Sequence, residues 1–107
     1  MIVRQYVKDF ENLGFGMFVH FGLYSVLGKG EWALHSLQMD QDEYFKLRDE
    51  FNPEPDWAEH LAATAKHAGA KYMTLTTRHH DGFSLYDTCG LNPEMDTVHT
   101  CGRDLVR

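Results

Sequence analysis

Residues 56–69 constrain this chain more than any other stretch, because both ends of a helix are written into them. Asp56 belongs to the residues whose side chains accept backbone N–H bonds at a helix start, and Glu59, three positions on, completes a capping-box pattern. Trp57, Leu61, Ala65 and Ala68 recur along one face, so the spacing predicts a single apolar stripe. Lys66 and His67 put positive charge where the helix dipole is negative, and Gly69 supplies a left-handed cap. Upstream, Phe15-Gly16-Met17-Phe18-Val19-His20-Phe21 is a short run, apolar on both faces, between Gly14 and Gly22, as a buried parallel strand would be. Downstream, Lys71-Tyr72-Met73-Thr74-Leu75-Thr76-Thr77 reads as a second strand. Strand, helix, strand in that order predicts an α/β fold built on a parallel βαβ unit with a right-handed crossover.

The rest of the chain is less strongly signalled. Residues 22–40, with Gly22, Gly28 and Gly30 among aromatic and polar residues, are expected to form a long irregular loop. Tyr44, Leu47 and Phe51 recur at helical spacing over residues 41–51, and Asn52-Pro53 ends that helix because a residue before proline is driven out of the α region. The charge run from Asp40 to Glu50 reads as its solvated face. Arg78-His79-His80-Asp81-Gly82-Phe83 reads as the loop leaving the second strand. The tail beyond residue 86 is loop-like, with Gly102-Arg103-Asp104-Leu105-Val106 opening a further helix. There is no repeat, low-complexity tract or linker, so residues 1–107 are expected to be one structural unit. A chain of 107 residues can bury one ordinary core. It is well short of the about 250 residues of a closed eightfold barrel.

Composition narrows the classes of partner. A formal charge of −6 disfavours a nucleic-acid backbone or an anionic membrane as the main partner. No apolar stretch approaches the about 20 residues of a membrane span. Arg4, Lys8 and Asp9 stand where a secretory signal would need an apolar run, so the chain as written is expected to be cytoplasmic unless its N-terminus is truncated. Cys89 and Cys101 are too few for a disulfide scaffold and lack the paired spacing of a zinc site; a single disulfide and a reduced pair both fit. The nucleophile elbow, the phosphate-binding glycine loop and the HExxH zinc motif are all absent.

In parallel α/β folds, ligand groups gather at the carboxyl ends of the strands. His20 stands at that end of the first strand and His79-His80-Asp81 beyond the second, while Glu31 and Trp32 lie in the loop after the first. Three imidazoles, a carboxylate and an indole suit a polyhydroxylated ligand. Imidazoles both donate to and accept from hydroxyls, and an indole face packs on the apolar face of a sugar. Plainer roles compete with these. His20 can be an ordinary hydrogen-bonded strand end, and Trp32 a cap on the core. One of His79 and His80 can simply brace the loop, since adjacent strand side chains point to opposite faces. His35, His60, His67 and His99 read as surface or structural. His20, His79, His80 and Asp81 offer an alternative shell for zinc or iron, but no usual metal signature accompanies them, so neither a metal nor any other cofactor is assigned.

These residues carry a resemblance. Phe15-Gly16-Met17-Phe18-Val19-His20-Phe21-Gly22-Leu23-Tyr24-Ser25-Val26, followed by Gly30-Glu31-Trp32, resembles the opening of the family 29 glycoside hydrolases, the α-L-fucosidases. Trp57-Ala58-Glu59, Ala68-Gly69-Ala70-Lys71-Tyr72, Leu75-Thr76-Thr77-Arg78-His79-His80-Asp81-Gly82-Phe83 and Arg103-Asp104-Leu105-Val106 are similar to the same family, collinearly from about residue 10 onward. Phe21 and Tyr86 depart from it where Trp is common, and Arg78 where Lys is common. The resemblance implies the N-terminal portion of a (β/α)8 TIM-like barrel, with parallel strands and crossover helices, as one partial catalytic domain over residues 1–107. It implies a retaining enzyme that releases terminal α-L-fucose from fucosylated glycans or other α-L-fucosides. On the motif positions, His20, Glu31, Trp32, His79 and His80 would line the fucose pocket. The family's nucleophile, an Asp on a later strand, and its acid/base would lie beyond residue 107, working as a carboxyl pair about 5 Å apart. No catalytic residue is therefore assigned within the chain, and Glu31, the one carboxylate of the motif set, is only the fallback acid. The chain alone is expected to be inactive. A non-catalytic fucose-binding fragment is the alternative reading, and a metal-dependent hydrolase using the histidines a lesser one.

Overall fold

A computed structural model describes residues 1–107. Strand β1 (Gly16–Val19) and strand β2 (Tyr72–Leu75) pair in parallel, with Gly16 opposite Tyr72 and Val19 opposite Leu75, and helix α4 (Trp57–His67) lies between them in the chain. The expected α/β arrangement with a parallel pair is therefore present. Both strands are shorter than the apolar runs that announce them. The sheet has only these two strands, so it is not covered as a buried strand would be: Phe18 is 65% exposed and Met73 40%.

The chain divides into two compact units, each assembled from two separate stretches. Residues 1–19 and 54–75 make the first, which holds the sheet. Here α4 ends as its sequence predicts: Gly69 takes φ +84°, and Ala70 N–H closes on Ala65 O at 3.0 Å. Its start differs. Asp56 makes no side-chain cap; its carboxylate lies 3.0 Å from Nε2 of His60, one turn on. Of the predicted stripe, Ala65 is buried, Trp57 and Leu61 are half-buried and Ala68 is exposed. Helix α1 (Gln5–Leu13) was not expected, although Tyr6, Phe10 and Leu13 recur at helical spacing and Gly14 follows; Arg4 makes no cap and no residue of the helix is fully buried. It is tied to the sheet by Phe10, whose ring centre lies 4.8 Å from that of Tyr72. The Tyr72 ring in turn lies over Gly16, where an added Cβ would come within 2.2 Å of it.

Residues 20–53 and 76–107 make the second unit. Residues 22–40 are not one irregular loop: they contain a 3-10 turn at Leu23–Ser25 and the short helix α2 (Ala33–Ser36). Helix α3 (Gln41–Phe45) begins at Asp40, whose carboxylate accepts from the N–H groups of Asp42 and Glu43, and it tightens into a 3-10 turn at Lys46–Asp49. Leu23, Tyr44, Phe51, Phe83, Leu85 and Leu105 form the buried core. The two stretches are joined by Tyr44 Oη donating to Asp81 Oδ2 at 2.6 Å and by Arg48 donating to Glu94 O at 3.1 Å. Arg103 also donates to Asn52 Oδ1 and to the Pro53 carbonyl. The last helix, α5 (Thr97–Thr100), falls earlier than the predicted one at 102–106. Asp96 caps α5 through His99 N–H, while Leu105 N–H pairs with Leu85 O at 2.8 Å and so holds the tail out of a helix. Cys89 and Cys101 are free thiols. No helix is long and apolar enough to cross a membrane.

Candidate functional site

All five expected site residues belong to the second unit, and they fall into two groups that meet at His79 and His80. His20 is the residue after β1 and Thr76 the residue after β2; His20 Nδ1 lies 3.4 Å from Thr76 Oγ1. The other ring nitrogen, Nε2, lies 3.7 Å from Glu31 Oε1, and both side chains are half-buried. His79 meets His20 edge-on, with ring centres 5.3 Å apart, and its buried Nδ1 has no hydrogen-bond partner. His20, Glu31 and His79 each bring one nitrogen or oxygen atom to within 4.8 Å of those of the other two.

The second group is aromatic and open. The His80 ring lies 4.4 Å from Trp32, tilted by 36°, and 4.4 Å from His79. Trp32 leaves 58% of its surface exposed. His79 and His80 therefore both serve the cluster, rather than one facing it and one bracing the loop. Strand geometry ends at Leu75, and His80 sits in a turn, so strand alternation does not apply to the pair. His35, read from sequence as surface or structural, joins this group, with its ring 5.4 Å from His80 and 5.9 Å from Trp32. The missed signal was spacing: residues 32 and 35 lie three apart, and residues 33–36 are helical, so both side chains share a face. His99 is structural as expected, its Nδ1 2.7 Å from Asp96.

Asp81 does not point its carboxylate at the histidines. Its Oδ2 accepts from Tyr44 and its Oδ1 from Phe83 N–H, so it positions the loop that carries His79 and His80. The alternative metal shell including Asp81 and His80 is accordingly not assembled; the residues that do converge are His20, Glu31 and His79. Burial, then the bond to Asp81, pushes the Tyr44 phenol far above its ordinary range. Burial also raises the Tyr24 phenol, whose ring stands edge-on 6.1 Å from His79, with the Thr76 hydroxyl opposing the shift. A cleft of about 300 Å³ lined by Tyr86, Asp87, Cys89, Asp104, Val106 and Arg107 contains none of the cluster. There Asp104 is committed to the N–H groups of Asp87, Val106 and Arg107, and the bond from Asp87 N–H is the first of the interactions holding its pKa below the usual carboxylate range.

Comparison with known proteins puts the chain among the glycoside hydrolases. Residues 2–107 match the α-L-fucosidase family model, and the chain belongs to that family. Tissue alpha-L-fucosidase of Rattus norvegicus is 35% identical over 102 residues, covering 76% of this chain and 21% of that protein. Plasma alpha-L-fucosidase of Homo sapiens is 33% identical over 103 residues, covering 78% of this chain and 21% of that protein. The chain thus spans about a fifth of the length of these relatives. Among solved structures, an α-L-fucosidase from Bacteroides thetaiotaomicron superposes with a TM-score of 0.83 at 29% identity, over 98% of this chain and 26% of that one. One from Lactobacillus casei, in complex with α-L-fucose, gives 0.78 at 30% identity, over 96% and 35%.

Proposed function

We propose that this chain forms the N-terminal portion of a (β/α)8 TIM-like barrel and supplies the fucose-holding side of a retaining α-L-fucosidase. The observation that carries the reading is the convergence of His20, Glu31, Trp32, His79 and His80 within one unit, on the positions where the family motifs fall. In this reading His20, His79 and Glu31 hold ring hydroxyls, each imidazole accepting at one nitrogen and donating at the other. The exposed face of Trp32, backed by His80, takes the apolar side of the sugar and its methyl group. A relative's structure described as a trapped covalent intermediate with 2-fluoro-fucosyl fluoride supports retention, since a covalent glycosyl-enzyme is the intermediate that retention passes through. The reacting carboxylates are assigned outside residues 1–107. Asp81 is occupied by Tyr44 and Phe83, and Glu31 faces an imidazole, an arrangement suited to holding a hydroxyl.

Two measurements test this. Calorimetric titration with L-fucose is expected to show one site whose affinity falls about tenfold in Trp32→Ala, the loss of one stacking face. Absence of fucose binding in the unaltered chain would overturn the sugar reading. An aryl α-L-fucoside is expected to remain uncleaved, and sustained turnover would overturn the assignment of the carboxylates, leaving Glu31 as the acid.

A further inference from the structure

We propose that His20, Glu31 and His79 form a three-ligand site for a divalent d-block cation such as Zn²⁺. Two imidazoles and one carboxylate, with the remaining positions open to water, are a donor set that suits zinc and copper and not magnesium or calcium, which take oxygen. The geometry is close to closing. Ligand atoms about 2.1 Å from one ion at the tetrahedral angle stand about 3.4 Å apart. His20 Nε2 and Glu31 Oε1 are already 3.7 Å apart, and no pair in the trio exceeds 4.8 Å. Closing the widest pair takes a side-chain movement of about 1–1.5 Å, within the reach of small χ rotations.

Two further observations point to a ligand. The buried Nδ1 of His79 has no hydrogen-bond partner, so that imidazole is not committed to another group through it. His20 has the outer support that metal-bound imidazoles need: with Nε2 turned to the site, Nδ1 faces the Thr76 hydroxyl at 3.4 Å, which fixes the ring. The other trio of this kind, Asp87, Asp96 and His99, lacks these features. Both oxygens of its central Asp96 are already engaged by Thr88 and His99, so no lone pair is left for an ion. An ion held by His20, Glu31 and His79 would occupy the side chains assigned above to the sugar hydroxyls, making Zn²⁺ an inhibitor of sugar binding and not a resident cofactor.

The test is calorimetric titration of the chain with Zn²⁺ and with Mg²⁺, repeated for His79→Gln, Glu31→Gln and Asp87→Asn, with circular dichroism recording the fold of each. One equivalent of Zn²⁺ is expected at micromolar affinity, weakened at least tenfold by His79→Gln and by Glu31→Gln and unchanged by Asp87→Asn, with Mg²⁺ silent. Co²⁺ in place of Zn²⁺ is expected to give visible d–d bands that Glu31→Gln alters. Zn²⁺ binding no tighter than Mg²⁺, or unaffected by Glu31→Gln, overturns the proposal. If His79→Gln loses its fold, Glu31→Gln decides alone. No sugar is present in this titration, so its failure leaves the fucose reading standing, and absence of fucose binding leaves the metal site standing.

Discussion

Asp96 is fully buried yet charged, and replacing it with Asn tests how the second unit is held together. Its Oδ2 accepts from the N–H and hydroxyl of Thr88 at 3.2 and 2.6 Å, and its Oδ1 from the N–H and ring Nδ1 of His99 at 2.9 and 2.7 Å. Burial alone would raise this carboxyl, but the Thr88 and His99 donors overcome it and hold the pKa down to about 2, from its usual 3.8. At about 1.36 kcal/mol per tenfold change in the proton equilibrium, that difference is worth about 2–2.5 kcal/mol. Because the folded pKa is depressed, this stability is present above the unfolded value and drains away as acid titrates the folded carboxyl, between about pH 4 and pH 2. In Asp96→Asn one oxygen is replaced by an NH2 that confronts two donors, so charge-assisted bonds of about 1.5–3 kcal/mol are lost or reversed. Urea unfolding followed by circular dichroism is expected to show a deficit of about 2–3 kcal/mol at neutral pH that narrows toward pH 2. A deficit under about 1 kcal/mol, or a variant that loses stability in acid as steeply as the unaltered chain, would refute the account of Asp96 as an ionised anchor.

Tyr44→Phe removes the donor to Asp81 without changing the core's shape, and is expected to cost about 1.5–3 kcal/mol in denaturant unfolding, because the Asp81 oxygen is left buried without its donor. Fucose affinity should fall with it, since the His79-His80 loop loses its anchor. Gly16→Ala drives a methyl group into the Tyr72 ring, which Phe10 backs at 4.8 Å. Overpacking of about 1–3 kcal/mol is expected, read as faster amide exchange across β1 and β2.

What the sequence made legible was whatever local chemistry alone decides. The left-handed end of α4 at Gly69 follows from a single-residue backbone preference and the parallel pairing of β1 and β2 from the order of elements, whereas the helix expected over residues 41–51 stops at Phe45 and gives way to a 3-10 turn ending at Asp49, short of the Asn52-Pro53 break. Asp56 shows where local chemistry stops deciding: a capping signature is present, yet a histidine four residues on competes for the same carboxylate. Helix α1 is announced by Tyr6, Phe10 and Leu13 at helical spacing and by Gly14 after its end, a pattern missed because no side chain caps its start. The site was partly legible. His20, Glu31 and His79 converge as expected, whereas His35 depended on a helical turn at residues 33–36 hidden inside a glycine-containing stretch. Asp81 anchors its loop partly through a local bond, from Phe83 N–H two residues on, whereas its tie to Tyr44, 37 residues away, is carried by no local pattern.

The stitching of the second unit also sets an order of events during synthesis. Its ties join residues far apart in the chain: His20 to Thr76, Tyr44 to Asp81, Arg48 to Glu94 and Arg103 to Asn52, with sequence separations of 56, 37, 46 and 51. A growing polypeptide that has released only its first half holds His20, Glu31 and Trp32 without Thr76, His79 and His80, which lie against them. Closing loops of this span is entropically slow compared with winding a helix. The side-chain cluster is thus among the last features the chain assembles, and a nascent chain stalled before residue 76 would hold both strands and helix α4 but neither His79 nor His80.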